Sequence, residues 1–428
     1  MTYMARIPRL FFLALSCCLI VILSACDLPW SSTSSQAASH HIDNPPDTRP
    51  TPTPATKPVP PTKTTCPASG TARALVTAPL AAGQNQAIIY TVNQTDSSNH
   101  PVMGMIKSYN VKTGSKKVIV QFPNQPISWA RLSPDGQWIL YGIGLITDQA
   151  TYGAATTLQA IRVDGQGRQT LYCNAKGLSK PQWSPDQKKI AFLDEHLQVL
   201  DLTTGELQAV VFPSSSADGG LMDYDGWLDS QHFYFQERGY AGGTGDVYVL
   251  DLAKGTNQTL NDLTRIHSNG YRTTLAVSYD RSQVYATYNS CDQVGCKPPS
   301  SIMALPALSG TAHTLWQSTK YAATITCPIT AQQMLVVIQN ANYDTDTSHN
   351  GVWLMNNNGS GMELMTSIPN NLDDCSYPWN VVSRDGSMYT IRSGFNLAFG
   401  KLDGSGSSVT FATGVVTAQA GVVGWTLL

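Results

Sequence analysis

The sequence predicts an all-β fold: a seven-bladed β-propeller of four-stranded antiparallel blades. The C-terminal strand closes the ring, and a signal peptide and a disordered tether precede it. Three observations carry this reading. First, the stretch "LSPDGQWILY" at Leu132–Tyr141 returns as "WSPDQKKIAF" at Trp183–Phe192. Second, degenerate copies recur every 43–55 residues or so, each followed by a strand–turn–strand pattern. Third, charged residues make up only 13% of the chain against 42% hydrophobic. Thr, Ser, Gly, Asn and Gln therefore cover the surface, which suits strands and turns better than helices. At 428 residues the chain exceeds one ordinary domain unless it is a barrel or a repeat array.

Residues 1–25 read as an export leader. Arg6 and Arg9 precede a nearly continuous apolar run, Leu10–Leu23, which is shorter than a membrane span requires. Leu23-Ser24-Ala25-Cys26 then resembles a bacterial lipobox. That resemblance implies lipidation of Cys26, cleavage before it, and an extracytoplasmic protein held to the bacterial membrane by its lipid. Residues 26–65 form a Pro/Thr/Ser-rich tether. Proline removes backbone donors, so "DTRPTPTPATKPVPPTK" joins neither sheet nor helix. His40 and His41 within it are read as solvated.

Residues 66–428 hold the repeats. The copies begin at Ala130, Pro181, Asp225, Leu275, Ile325 and Asn380. Each opens with an apolar residue, then turn formers, then an alternating apolar run, and a hairpin such as "LQVLDLTTGELQAVV" follows. One unit is thus four strands. Three strands precede the first full unit, from Gln86, and "GVVGWTLL" from Gly421 is an orphan strand. The orphan completes the first blade, which gives six blades plus one composite. Closure of this kind removes exposed sheet edges. In "SPDG" itself Pro sets φ, Asp caps the turn and Gly accepts positive φ, so Asp135 and Asp186 are read as turn residues rather than catalysts.

The "WSPDGxxIxF" pattern, whole or partial at Leu132, Trp183 and Ser383, resembles the WD40-like repeats of TolB-like β-propellers. The resemblance covers about residues 86–428. It implies the architecture and says little of function. Three copies depart from it, with "WLDS", "VSYD" and "CPIT".

The chain holds nine cysteines. Setting aside Cys17, Cys18 and Cys26 leaves six, which permits three disulfides in an oxidising compartment. Cys291 with Cys296, Cys327 with Cys375, and Cys66 with Cys173 are the expected pairs. The formal net charge of −2 gives no basic excess for nucleic acid. No Gly-x-Ser-x-Gly elbow, P-loop or His-Glu-x-x-His occurs, and neither cofactor nor metal is expected. His196, His232, His267, His313 and His349 fall on different repeats. "NYDTDTSHNG", Asn342–Gly351, alternates oxygen side chains as Ca²⁺ ligands do, but reads as a polar hairpin loop.

Function is therefore expected in loops on the rigid ring. The long loops opposite the "SPDG" turns would gather Tyr152, Arg238, Tyr240, His267, Tyr271, Tyr343 and Asp344, a set suited to protein or glycan recognition. The expected protein is a monomeric, non-enzymatic binding or scaffolding lipoprotein. The alternative is a propeller hydrolase or lyase with its site at the axial mouth.

Overall fold

The structure is a computed structural model. It describes residues 65–73, 83–98, 101–144, 155–194, 196–210, 221–238, 247–255, 258, 262–266, 272–292, 295–308, 311–340, 346–367, 370–372, 375, 377–413 and 420–428. The leader, Cys26, the tether to residue 64, and His40 and His41 lie outside the described residues.

Antiparallel strands make up nearly all of it. The first sheet orders its strands Ala420–Leu427, Gln86–Thr95, Pro101–Asn110, Lys116–Pro123. The C-terminal strand thus lies beside the first, with Gln86 opposite Leu427 and Val92 opposite Ala420. Four more four-stranded sheets follow the chain. Their innermost strands are Leu221–Trp227, Arg272–Val277, Ala323–Pro328 and the two-residue Asn370–Asn371. The fold is an all-β propeller.

The blade pattern departs from the expected seven separate units. Five four-stranded blades are present. The remaining strands form one seven-stranded sheet running from Ile127–Leu132 to Leu207–Val210. The cause is the 15-residue strand Gln169–Trp183, which continues where a break was expected. Its first part pairs with Ala155–Arg162 and its last part with Lys189–Leu193. The junction is a bulge rather than a break: Leu178 pairs with Ala155 and Cys173 with Thr157, and Gly177 takes a φ of 102° between them before the strand resumes.

Period-2 alternation places apolar side chains on both faces of each sheet. In the first sheet Ile88 and Tyr90 pack toward Leu397, Phe399 and Phe411 of the last sheet. Ile89, between them in sequence, packs toward Leu132, Ile139 and Tyr141 of the seven-stranded sheet. Both faces are thus buried, and the core lies between neighbouring sheets.

The repeated turns share one hydrogen-bond pattern. The Ser133 hydroxyl donates to Asp135 Oδ1 at 2.5 Å and accepts from the Trp138 N–H at 2.9 Å. Asp135 Oδ1 also accepts from the Gln137 N–H at 3.0 Å. Ser184 with Asp186, Ser278 with Asp280 and Ser383 with Asp385 repeat the hydroxyl-to-carboxylate bond at 2.6, 2.7 and 2.6 Å. The fourth turn residue takes positive φ: 75° at Gly136, 71° at Gly386, 60° at Gln187 and 62° at Arg281. The aspartates therefore serve as turn residues, as read from sequence. Ser184→Ala is expected to lower stability by about 1–2 kcal/mol in urea unfolding. It strands the Lys189 N–H, a donor that the Ser184 hydroxyl now accepts at 2.9 Å.

Two of the three expected disulfides are present, Cys66–Cys173 with Cα atoms 5.9 Å apart and Cys327–Cys375 at 5.0 Å. Cys291 and Cys296 stand directly opposite each other in backbone register; their side chains are not among the described groups. The first bridge ties the segment at Cys66 to the strand Gln169–Trp183. The Gly70 N–H donates to Gly205 O at 2.9 Å, and the buried Arg73 donates its Nε–H to Leu171 O at 2.9 Å.

Candidate functional site

The "SPDG"-type turns and the segment Tyr377–Trp379 build a hub. Tyr377 is only 4% exposed, and its hydroxyl donates to Trp183 O of the seven-stranded sheet. The Arg281 guanidinium, from another blade, lies 5.6 Å from the Tyr377 ring centroid. Two residues earlier, Cys375 is bridged to Cys327 of a third blade. A side chain anchored to elements that far apart in sequence lies where the inner strands converge, near the ring axis. Pro378 at the start of the single helical turn Pro378–Val381 sets the direction in which the segment leaves that point.

Arg384 locks the hub to the ring closure. It occupies the Pro position of the last "SPDG" copy. Its Nε–H donates to Trp425 O at 2.8 Å, and one Nη1–H donates to Pro134 O at 2.8 Å. A longer bond, 3.4 Å, runs from Nη2 to Ser133 O. The guanidinium carbon lies 5.4 Å from the Trp379 ring centroid, and Tyr377 stacks on the same indole at 4.7 Å. Burial pushes the Arg384 pKa down to about 10, partly offset by the charge of Asp135.

Two cavities open beside the hub on the turn side. One, of about 420 Å³, is lined by Trp379, Arg384, Asp385, Thr330 and neighbouring residues. The other, of about 620 Å³, is lined by Gln283, Tyr285, His313 and Asn356–Asn358 among others. They meet at Tyr279, Ala331 and Gln332, which line both, and so form one trough from the hub outward.

The trough is lined by Asp280, Asp385, Arg384 and His313 among amide, hydroxyl and apolar groups. Asp280 lies well below the usual carboxylate range because the Ser278 hydroxyl and Ser282 groups donate to it. Burial pushes Asp385 upward, but donors from Ser383 and Ser387 outweigh this and hold it low. Both carboxylates are thus fixed as turn acceptors. The Asn357 N–H donates to Gln332 O at 2.7 Å and its amide Nδ2 to Thr330 O at 3.2 Å, which orients the side chain. Asn357 Oδ1 and the Trp379 indole N–H are buried without a protein partner. Tyr279 is 55% exposed.

The face expected from sequence falls almost wholly outside the described residues. Tyr152, Tyr240, His267, Tyr271, Tyr343 and Asp344 lie outside the described residues. For Arg238 only the backbone, on strand His232–Arg238, is described. Among the described residues no group of three or more His, Cys, Asp or Glu is placed to hold a metal ion. In the Asn342–Gly351 stretch, the described part uses Asp346 as acceptor for the Ser348 hydroxyl at 2.6 Å. The hub residues were missed in the sequence. Their signal was "YPWN" before the last repeat and the Arg that replaces Pro in "SRDG".

Neither a protein-family profile nor a curated protein matches the chain. Solved structures do. Oligogalacturonate lyase in complex with manganese aligns over 78% of this chain and 86% of its own, at 14% identity and a TM-score of 0.50. TolB from Acinetobacter baumannii aligns over 74% and 78%, at 18% identity and a TM-score of 0.41. The periplasmic gluconolactonase of Pseudomonas aeruginosa aligns over 79% and 99%, at 13% identity and a TM-score of 0.49. At such identities the likeness is one of fold, the β-propeller. Solved TolB propellers are thus among the similar structures, in line with the repeat resemblance. The two disulfides place the folded domain outside the reducing cytoplasm.

Proposed function

We propose that the protein is a membrane-tethered binding module that holds its ligand in the trough on the turn face. In this reading Cys26 carries the lipid, residues 26–65 are the spacer, and the propeller is the rigid platform. The seven-stranded sheet then counts as two blades sharing Gln169–Trp183, which makes seven. In support, Leu140 and Trp138 of one half pack with Ile190 and Phe192 of the other in a single cluster. The observation that carries the binding reading is the trough itself. It is preformed on rigid turns, and its two aspartates are already fixed as turn acceptors.

The test uses a photo-crosslinking amino acid at Ala331, in the waist of the trough, and at Phe395, an exposed hairpin residue elsewhere. Cells making either protein are irradiated. A mass-shifted adduct at 331 and none at 395 is expected. The Cys26→Ser protein is expected to leave the membrane fraction. Adducts at 395 alone would sink the trough. Release of fragments from the captured material would replace binding with catalysis.

A further inference from the structure

We infer that the outer edge of the first sheet docks on the anionic phospholipid surface of the membrane to which residues 26–65 lead; the inference rests on the lipid-tether reading above. Three observations carry it. First, positive charge is gathered there and stands alone. No Asp or Glu occurs between Asp96 and Asp135, a stretch that holds Lys107, Lys112, Lys116 and Lys117, although the whole chain has a formal net charge of −2. The fold brings these lysines onto one hairpin, the strands Pro101–Asn110 and Lys116–Pro123 with the turn between them. Lys107 stands opposite Val118, and Tyr109 opposite Lys116. Lys112, Lys116 and Lys117 are exposed, Lys107 is half-buried, and Val118 is 41% exposed among them. No ion pair among the described residues engages any of the four. Asn110 Oδ1 accepts from the Lys112 and Thr113 N–H groups, both at 3.0 Å, so the turn is set before a partner arrives and docking orders side chains alone.

Second, edge protection does not account for these lysines. Lysine on an edge strand often serves to repel a second sheet. Lys116–Pro123 is the last strand of its sheet. The strands in the same place elsewhere, Leu207–Val210, Thr264–Ile266, His313–Ser318, Glu363–Ser367 and Val409–Ala412, carry no lysine. The protein therefore does not guard its edges in this way, and this one edge is the exception.

Third, the chain leads back toward the membrane from the same side. The next sheet extends the positive surface. A Cβ at Gly165 would lie 3.2 Å from Ile119 O, so that hairpin abuts the lysine strand. Exposed Arg168 follows, with its guanidinium 5.8 Å from the Phe122 ring centroid. The hairpin's own carboxylate, Asp164, is paired with Arg162 at 2.8 Å. Five residues beyond Arg168, about 17 Å along a strand, Cys173 is bridged to Cys66. The tether thus joins the domain beside the lysine edge. Cys66 lies 40 residues after Cys26. An anchor at that remove keeps the domain beside the bilayer at a concentration on the order of millimolar, so a patch of modest affinity suffices. The lipid retains the protein; the lysine edge sets which side of it faces the bilayer.

A bilayer fits this surface better than a compact anion does. The lysines run along a strand edge and line neither cavity of the trough. Lipid phosphates present negative charge as a plane, and each basic group within a Debye length of such a plane adds about fivefold in affinity.

The experiment sediments the mature chain, residues 26–428 with Cys26→Ser, with vesicles of phosphatidylcholine alone or with about one-third phosphatidylglycerol, at about 20 mM and about 500 mM salt. Binding is expected with phosphatidylglycerol at low salt, and little with phosphatidylcholine alone or at high salt. The triple variant Lys112→Gln, Lys116→Gln, Lys117→Gln is expected to weaken it about a hundredfold. The same change at Lys188, Lys254 and Lys320, also exposed, should leave it within about threefold. All six side chains are exposed, and matching urea midpoints check both folds. Equal losses in the two triples would assign the binding to net charge and overturn the docking edge. So would equal binding to the two vesicle types, or tighter binding of soluble inorganic polyphosphate than of either. If no vesicle binds while the lipidated wild-type protein sediments with membranes and Cys26→Ser does not, the docking edge falls and the tether reading stands. If the wild-type protein is itself absent from the membrane fraction, both fall.

Discussion

Deletion of residues 420–428 is expected to leave the protein unfolded in water at 25 °C. That segment contributes the strand Ala420–Leu427, which pairs along Gln86–Val92 of the first strand. It also buries Trp425 completely, against Ile88 and Phe399. Removing one such aromatic from a core costs about 3–5 kcal/mol, within reach of a whole domain's margin of roughly 5–15 kcal/mol. The deletion adds to this the loss of a full ladder and of Val422 and Val423. It also leaves an open sheet edge on the ring. Circular dichroism and urea titration of the truncated chain test it. Addition of a synthetic peptide spanning 419–428 should restore a cooperative transition. A truncated protein that melts within a few degrees of the parent would show that the ring does not depend on this closure.

Arg384→Met is expected to lower stability by about 3 kcal/mol, seen as a lower urea midpoint with unchanged slope. The side chain joins three stretches of chain: its own turn, Trp425 O of the closing strand, and Pro134 O of the next sheet's turn. Methionine keeps apolar bulk over Trp379 and removes every donor, so two partly buried carbonyls lose their partners. Arg384→Lys should recover less than half of the loss, because one ammonium cannot reproduce a planar fork that reaches both carbonyls. Arg281→Met is the contrast. It gives up one bond, to Leu228 O at 2.8 Å, and the contact with Tyr377, for about 1 kcal/mol. Equal effects at 281 and 384 would mean that Arg384 has no special part in closure.

Much of this architecture is written locally. Each "SPDG"-type turn closes through bonds that span at most five residues, such as Ser133 to Asp135 and Trp138, so its chemistry is visible in a ten-residue window. The strand alternation is local too, and so is the pattern that marks residues 420–427 as a strand, although its partner Gln86–Val92 lies at the other end of the repeats. The blade boundary at Gln169–Trp183 was misread for the same reason. The repeat spacing implied a break, but a strand continues wherever both of its edges find partners, and those partners lie far away in sequence.

The trough was not legible. Tyr279, Ala331, Gln332 and Trp379 sit in three different repeats, and each looks unremarkable alone: a turn tyrosine, a turn alanine, a glutamine, a core tryptophan. Tyr377 and Arg384 show the same limit, since Tyr377 reaches Trp183 across 194 residues and Arg384 reaches Pro134 across 250. By itself the sequence determined the all-β repeat, its turns and the presence of a closing strand, because those are written in residue type and short repeating patterns; two of its expected cysteine pairs, 107 and 48 residues apart, are also present. Only the tertiary structure decided which turns face one another, which arginine closes the ring, and where a trough opens. Those outcomes depend on distances that exist only after the sheets have packed face against face.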